Sequence, residues 1–262
     1  MGPLAPVPVG EISLLGKIQK KLVEFSAAPD KGAWLYDLWK WRYFAHKHKQ
    51  QAQLNLVWDR EHGVETAGEL QLETAGVPLA DVARGNGVYR PLTENLFRES
   101  MASIGVDASR FTFVDIGSGK GKVLFMAADF PFKHIVGVEY AAGLHEVAAR
   151  NVTTYRSNTQ KCRSIEPVHA DALTYRLPDG PLVLFIFNAL AKEIMRDLLK
   201  KLDGDAGAQR DRPLVLIYTN LRNVAEVGDV FDGLQNLRAV RRVRNFVVIA
   251  NESGARSLSA RT

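Results

Sequence analysis

From Phe111 onward, short apolar runs alternate with amphipathic segments, and this alternation predicts a parallel sheet covered by helices on both sides. The expected strands are residues 111–116, 134–139, 165–169, 182–187 and 214–218. Between them, Lys120, Val123, Leu124, Ala127 and Ala128 share one helical face, as do Leu144, Val147, Ala148 and Val152, and then Ile194, Leu198, Leu199 and Leu202. The end of the chain changes texture. Residues 237–243 and 246–250 read as two strands joined tightly at Arg244 and Asn245, an antiparallel hairpin that closes the sheet. The fold expected is α/β and doubly wound, with a mostly parallel seven-stranded sheet.

Ahead of this region lies a helical extension. Leu15, Ile18, Leu22 and Phe25 fall on one face of a first helix, and residues 27–32 break it. A second helix is expected after Gly32, with Trp34, Leu38, Trp41 and Ala45 on one stripe and Tyr36, Trp39 and Tyr43 on another. Glycines between residues 63 and 87 suggest an irregular linker before a helix at residues 93–104. The domain reading is residues 1–88 as extension and linker, 89–252 as the α/β domain, and 253–262 as a flexible tail.

The chemistry is expected at the end of the first sheet strand. Asp115-Ile116-Gly117-Ser118-Gly119-Lys120-Gly121 joins a strand to a helix, where glycines permit close backbone approach to a ligand and the helix start offers free N–H groups. Glu139 ends the next strand 24 positions after Asp115, where a carboxylate can accept from both hydroxyls of a ribose. Asp171, with Ala172 beside it, ends the third strand, where it can take a hydrogen bond from an adenine amino group. Asn188 ends the fourth. All four ends belong on the carboxyl edge of the sheet, where open α/β folds bind ligands.

The cofactor is decided by Asp115. A dinucleotide would place its pyrophosphate over this loop, against a carboxylate that repels it. S-adenosylmethionine has no phosphate and carries two cationic centres, so the carboxylate is acceptable. The glycines also read G-x-G-x-G rather than the dinucleotide spacing.

At these residues the chain resembles the class I S-adenosylmethionine-dependent methyltransferases, which are Rossmann-like, and more closely a set of bacterial members. Phe113 through Gly121 and Val136-Gly137-Val138-Glu139 carry the resemblance most specifically. Tyr89-Arg90-Pro91-Leu92-Thr93 is similar to a segment of some protein lysine methyltransferases, which implies that Tyr89 and Thr93 fold over the methionine end of the cofactor. Residues 58–66 also resemble a segment of the bacterial set, with no chemical role implied. One departure stands out. Relatives end the fourth strand with asparagine or aspartate followed by proline and an aromatic residue, and this chain has Asn188-Ala189-Leu190.

The resemblance implies methyl transfer to a protein side chain, RNA or a small molecule, with cofactor contacts at Tyr89, Thr93, Asp115, Gly117, Ser118, Gly119, Gly121, Glu139, Asp171, Ala172 and Asn188. Asn188 is also the candidate catalytic residue, because its carbonyl can orient an acceptor N–H. Its rival role is to cap the helix beginning near Lys192. The departure after Asn188 keeps open an inactive binding module, and a nicotinamide-dependent oxidoreductase is disfavoured by Asp115. Lys120 reads as a solvated side chain, and His46 and His48 as a solvated basic end.

A lone cysteine, Cys162, excludes an internal disulfide and reads as a packing filler in a reducing, cytoplasmic setting. No metal site is expected, and no apolar run reaches the roughly 20 residues of a membrane span. A formal charge of +5 favours anionic partners; Trp39-Lys40-Trp41-Arg42-Tyr43-Phe44 could stack bases or meet anionic lipid, but such a run is more often an amphipathic helix packed on its own domain with its cations reaching water.

Overall fold

The computed structural model describes residues 30–82, 87–219, 231 and 233–258. The expected first helix around Leu15 to Phe25 and residues 83–86 of the linker lie outside them, as do the side chains of Trp34, Leu38, Trp41 and Ala45. Residues 1–51 and 52–262 form two compact units. Helix α1, Lys31–His62, supplies the described part of the first unit, and its last turns belong to the second.

In the second unit, β1, Leu70–Gln71, pairs antiparallel with β2, Val88–Tyr89, on either side of the short α2, Leu79–Val82. Helix α3, Glu94–Ile104, starts where the Thr93 hydroxyl accepts from Leu96 N at 3.4 Å. The sheet follows with β3, Thr112–Ile116; β4, His134–Glu139; β5, Ile165–His169; β6, Leu182–Phe187; β7, Leu214–Thr219; β8, Arg238–Arg242; and β9, Phe246–Ala250. Helices α4, Lys122–Ala127, α5, Ala142–Thr154, and α6, Lys192–Ala208, connect the parallel strands. A last helix, α7, spans Glu252–Ser257.

The seven strands lie in the order β5-β4-β3-β6-β7-β9-β8, parallel except for β9. After β3 the chain winds toward one edge through β4 and β5, then returns to build β6 and β7 on the other side. The point of reversal lies between β3 and β6, where ligands of doubly wound sheets settle.

Strand side chains alternate between faces, and here both faces are apolar. Phe113, Ile135, Val183, Phe185, Val215 and Ile217 pack with Phe97 of α3 and Leu124 of α4. Val114, Val136, Leu184, Ile186 and Leu216 pack with Met195, Leu198 and Leu202 of α6. Two cores therefore clamp the sheet and hold its carboxyl edge rigid.

Three expectations need correction. Residues 253–257, read as part of a flexible tail, belong to α7, because the Asn251 side chain accepts from Gly254 N at 2.7 Å and fixes the helix start. Residues 52–88, read with the extension, fall in the same compact unit as the sheet. The helix after β3 begins at Lys122 rather than Lys120, because Gly119 and Gly121 hold φ of 55° and 89° and keep the loop out of helical geometry.

Candidate functional site

One cavity opens at the carboxyl edge of β3, β4 and β6. Its lining includes Asp115, Gly117, Ser118 and Gly119 from the glycine loop, Glu139 from β4, Asp171 and Ala172 after β5, and Asn188 after β6. Tyr89 closes it from the β2 side. Thus nine of the residues picked out by sequence share one pocket. Thr93 and Gly121 do not line it: Thr93 caps α3, and Gly121 turns the loop into α4.

The loop is shaped for close approach. Gly117 N and Ser118 N both donate to Val138 O, at 2.8 and 3.1 Å, which ties the loop to the end of β4. Gly117 and Gly119 both have positive φ. A methyl group at Gly117 would overlap the Ala189 side chain, and one at Gly119 would overlap the Tyr89 ring. Glycine is therefore required there by backbone geometry and by space.

Glu139 accepts from Gly119 N at 2.7 Å and from Ala141 N at 2.8 Å, so its carboxylate is already aimed across the loop. Burial pushes its pKa up, and those backbone donors oppose the shift. Two amide donors leave lone pairs on the carboxylate for ribose hydroxyls. Asp171 accepts from Leu173 N at 2.9 Å, a local turn that fixes its position at the rim.

Asp115 is only 2% exposed, and its Oδ2 has no hydrogen-bond partner among the described residues. Burial pushes its carboxyl well above the usual carboxylate range, and the Glu139 charge pushes it further. Ser118 Oγ is buried and unpartnered in the same wall. Two orphaned buried polar atoms in a pocket signal an absent ligand. A cationic ammonium fits the acidic pair, and a pyrophosphate does not.

Asn188 is the one non-glycine residue with positive φ among the described residues, at 45°, and its N–H donates to Thr219 O at 3.0 Å. The capping role is corrected: the residue in the cap position before α6 is Ala191, which makes no side-chain cap hydrogen bond. Asn188 instead turns the chain into the pocket wall, with Ala189, Leu190 and Ile194 beside it.

Sequence reasoning missed a buttress behind the pocket. Asp59 accepts from Thr66 N, Thr66 Oγ1 and Ala67 N, each at 2.6 Å. Thr66 O in turn accepts from the Tyr89 hydroxyl at 2.8 Å, and Ala67 O from Lys120 Nζ at 3.2 Å. Lys120 is therefore buried and fastened, not solvated. Lys122, which lines the cavity, donates to Asn55 Oδ1 at 2.7 Å and lies 4.9 Å from the centre of the Trp58 ring. Burial lowers its pKa to about 8. The signal was the resemblance of residues 58–66, which had no chemistry attached because its partners lie far along the chain.

Cys162 is buried, as expected of a filler, and His46 and His48 are exposed. Among the described residues no cluster could hold a metal ion, and no helix is long and apolar enough to cross a membrane.

The doubly wound sheet, the glycine loop after β3 and the pocket at its carboxyl edge together define a Rossmann-like α/β fold. Residues 82–163 match the family described as histone methylation protein DOT1. No curated protein matches the chain. Among solved structures, the mitomycin 7-O-methyltransferase MmcR is 21% identical, with 59% of this chain and 52% of that chain covered and a TM-score of 0.42. An RNA methyltransferase from Salinibacter ruber, in complex with S-adenosyl-L-homocysteine, is 16% identical over 61% of this chain and 91% of its own, with a TM-score of 0.43. A ribosomal protein L11 methylase from Lactobacillus delbrueckii subsp. bulgaricus is 17% identical over 60% and 74%, with a TM-score of 0.38. The chain spans about half the length of the first of these, at 52%.

Proposed function

We propose that this protein transfers a methyl group from S-adenosylmethionine to an amino nitrogen, most simply a side-chain amine of another protein. The observation that carries the reading is the unpartnered Asp115 Oδ2, buried beside Glu139 in a phosphate-excluding pocket. Asp115 and Ser118 would hold the amino-acid end of the cofactor, Glu139 the ribose, and Asp171 with Ala172 the adenine. The bound cofactor supplies an activated methyl, so the chain's own contribution is alignment, which can replace most of the catalysis a base would give.

The acceptor side supports an amine with an apolar stem. Phe187, Ala189, Leu190 and Ile194 surround Asn188, which presents one carboxamide amid apolar wall. The match of residues 82–163 to a histone methylation family points the same way. We assign partner recruitment to residues 30–51. Tyr36 and Trp39 are each 60% exposed, and Trp39 stacks on Tyr43 at 5.6 Å, an exposed aromatic ladder against which an acceptor protein can pack.

Radiolabelled cofactor incubated with the protein and cell extract should label material destroyed by protease and not by RNase. Label lost to RNase would move the acceptor to RNA. Calorimetric titration should give binding of S-adenosylmethionine and of its demethylated product but not of NAD. Binding of NAD alone would overturn the reading.

A further inference from the structure

We propose that the edge of the sheet formed by β8 docks the phosphate backbone of a nucleic acid about three strands from the pocket mouth. Strand β8 and the turn after it carry Arg238, Arg241, Arg242 and Arg244, all arginine and none lysine. Arg241 is occupied, its guanidinium donating to Ser103 O. Arg238, Arg242 and Arg244 are exposed, and no carboxylate among the described residues pairs with them. A guanidinium at the surface with no acid beside it is available, and its planar fork fits phosphate oxygens.

Position argues for a role at the active site. Among the described residues strand β8 pairs only with β9 and forms the outer edge of the sheet. Because β9 is antiparallel to both neighbours, β8 runs in the direction of β6 and β7. Phe187 pairs with Thr219, Thr219 with Phe246, and Val243 N donates to Phe246 O at 3.0 Å. Arg244 therefore sits level with Asn188, three strand spacings or about 14 Å across the carboxyl edge. Arg242 lies one step below, its guanidinium 5.9 Å from the centre of the Phe231 ring. Arg242 and Arg244 thus stand at the carboxyl end of this edge, whereas the bulge between Ala239 and Arg241 turns Arg238 and Arg241 to the opposite face.

The bland alternative is that charge on an edge strand prevents pairing with other chains. Lysine or glutamate serves that purpose equally well. Two exposed arginines with no carboxylate partner among the described residues, on a chain of net charge +5, favour an anionic polymer. The inference rests on the methyltransferase reading only in calling the pocket mouth the acceptor's entrance.

The test is fluorescence anisotropy of the full chain with a labelled RNA oligonucleotide and a labelled DNA duplex, over a range of salt. The variants are Arg242→Gln with Arg244→Gln, and Arg238→Gln alone as a control on the opposite face, which should bind as wild type. The expected result for the double variant is at least about tenfold weaker binding, with the slope of log affinity against log salt reduced by about 0.7–0.9 for each arginine removed. Cofactor affinity by calorimetry should be unchanged, which separates failure of docking from failure of the methyltransferase reading. Wild-type binding by the double variant would overturn the proposal. So would absence of binding at low salt, or equal competition by polyglutamate, which would indicate an acidic protein partner instead.

Discussion

At the scale of single residues, Asn188 has two properties that can be separated. Its φ of 45° is a conformation that costs an ordinary L-residue about 1–2 kcal/mol. Glycine adopts it freely. Asn188→Gly should therefore remove the carboxamide while leaving the turn intact, and Asn188→Ala should remove the carboxamide and strain the backbone. If the carboxamide orients the acceptor, Asn188→Gly will lose turnover at unchanged melting temperature and cofactor affinity. Full turnover in that variant would take Asn188 out of the reaction. The same geometry accounts for the missing proline, because a residue before proline is driven to extended backbone. Ala189→Pro should lower the melting temperature by breaking the Asn188 N–H to Thr219 O bond.

Asp115 gives a pH prediction. Its carboxyl, raised by burial and by Glu139, binds a proton more tightly in the folded chain than in the unfolded one. The stability it contributes is fully present below the ordinary carboxylate range and is lost as pH rises through the raised folded value; Glu139 acts in the same direction. A cation in the pocket pairs with the ionised form, so cofactor binding should release protons and tighten as pH rises. Asp115→Asn should weaken the cofactor about tenfold or more, reduce the pH dependence to the share that Glu139 carries, and raise the neutral-pH stability of the free protein. Calorimetry in buffers of different ionisation enthalpy counts the protons directly. The sequence exposed this pair because both carboxylates end strands at fixed offsets from the glycines. It could not expose the backbone angle of Asn188, which depends on the contact with β7.

At the scale of elements, what the sequence revealed follows the range of the interactions. The strands were legible because their apolar runs are local and both sheet faces are buried. The buttress from Asp59 to Ala67 was not, because Tyr89, Lys120 and Lys122 meet it only after the chain has folded. Asp59→Ala should test how far the pocket leans on it. The change strips three hydrogen bonds from a buried carboxylate, and each is worth about 1.5–3 kcal/mol at most. A fall in denaturation midpoint together with weaker cofactor binding is expected, since Tyr89 is held through Thr66. Lost stability with wild-type affinity would mean the pocket is held by the loop alone. Lys122 adds a signature of its own. With its pKa lowered from 10.5 to about 8, the folded chain binds that proton less tightly, so its contribution to stability grows as pH rises between those values. Lys122→Met should flatten the rise in melting temperature over that window.

At the scale of the whole molecule, the question is where the cofactor domain begins. Composition placed the boundary near residue 88, where the linker glycines end, yet Trp58 and Asp59 are buried in the unit that contains the sheet. Two truncations separated by a few residues distinguish these views. A chain starting at residue 52 keeps Asn55, Trp58 and Asp59, with their bonds to Lys122, Thr66 and Ala67. It should fold and bind S-adenosylmethionine with full affinity. A chain starting at residue 61 loses all three. Removing a buried tryptophan alone costs about 3–5 kcal/mol, a large part of the 5–15 kcal/mol that holds a typical domain together. That shorter chain should be insoluble or melt far lower, with weak cofactor binding. Comparing the chain from residue 52 with the full protein on the native acceptor then isolates what residues 1–51 do: equal cofactor affinity with reduced methyl transfer would assign them to recruiting the acceptor, and equal transfer would remove them from the reaction.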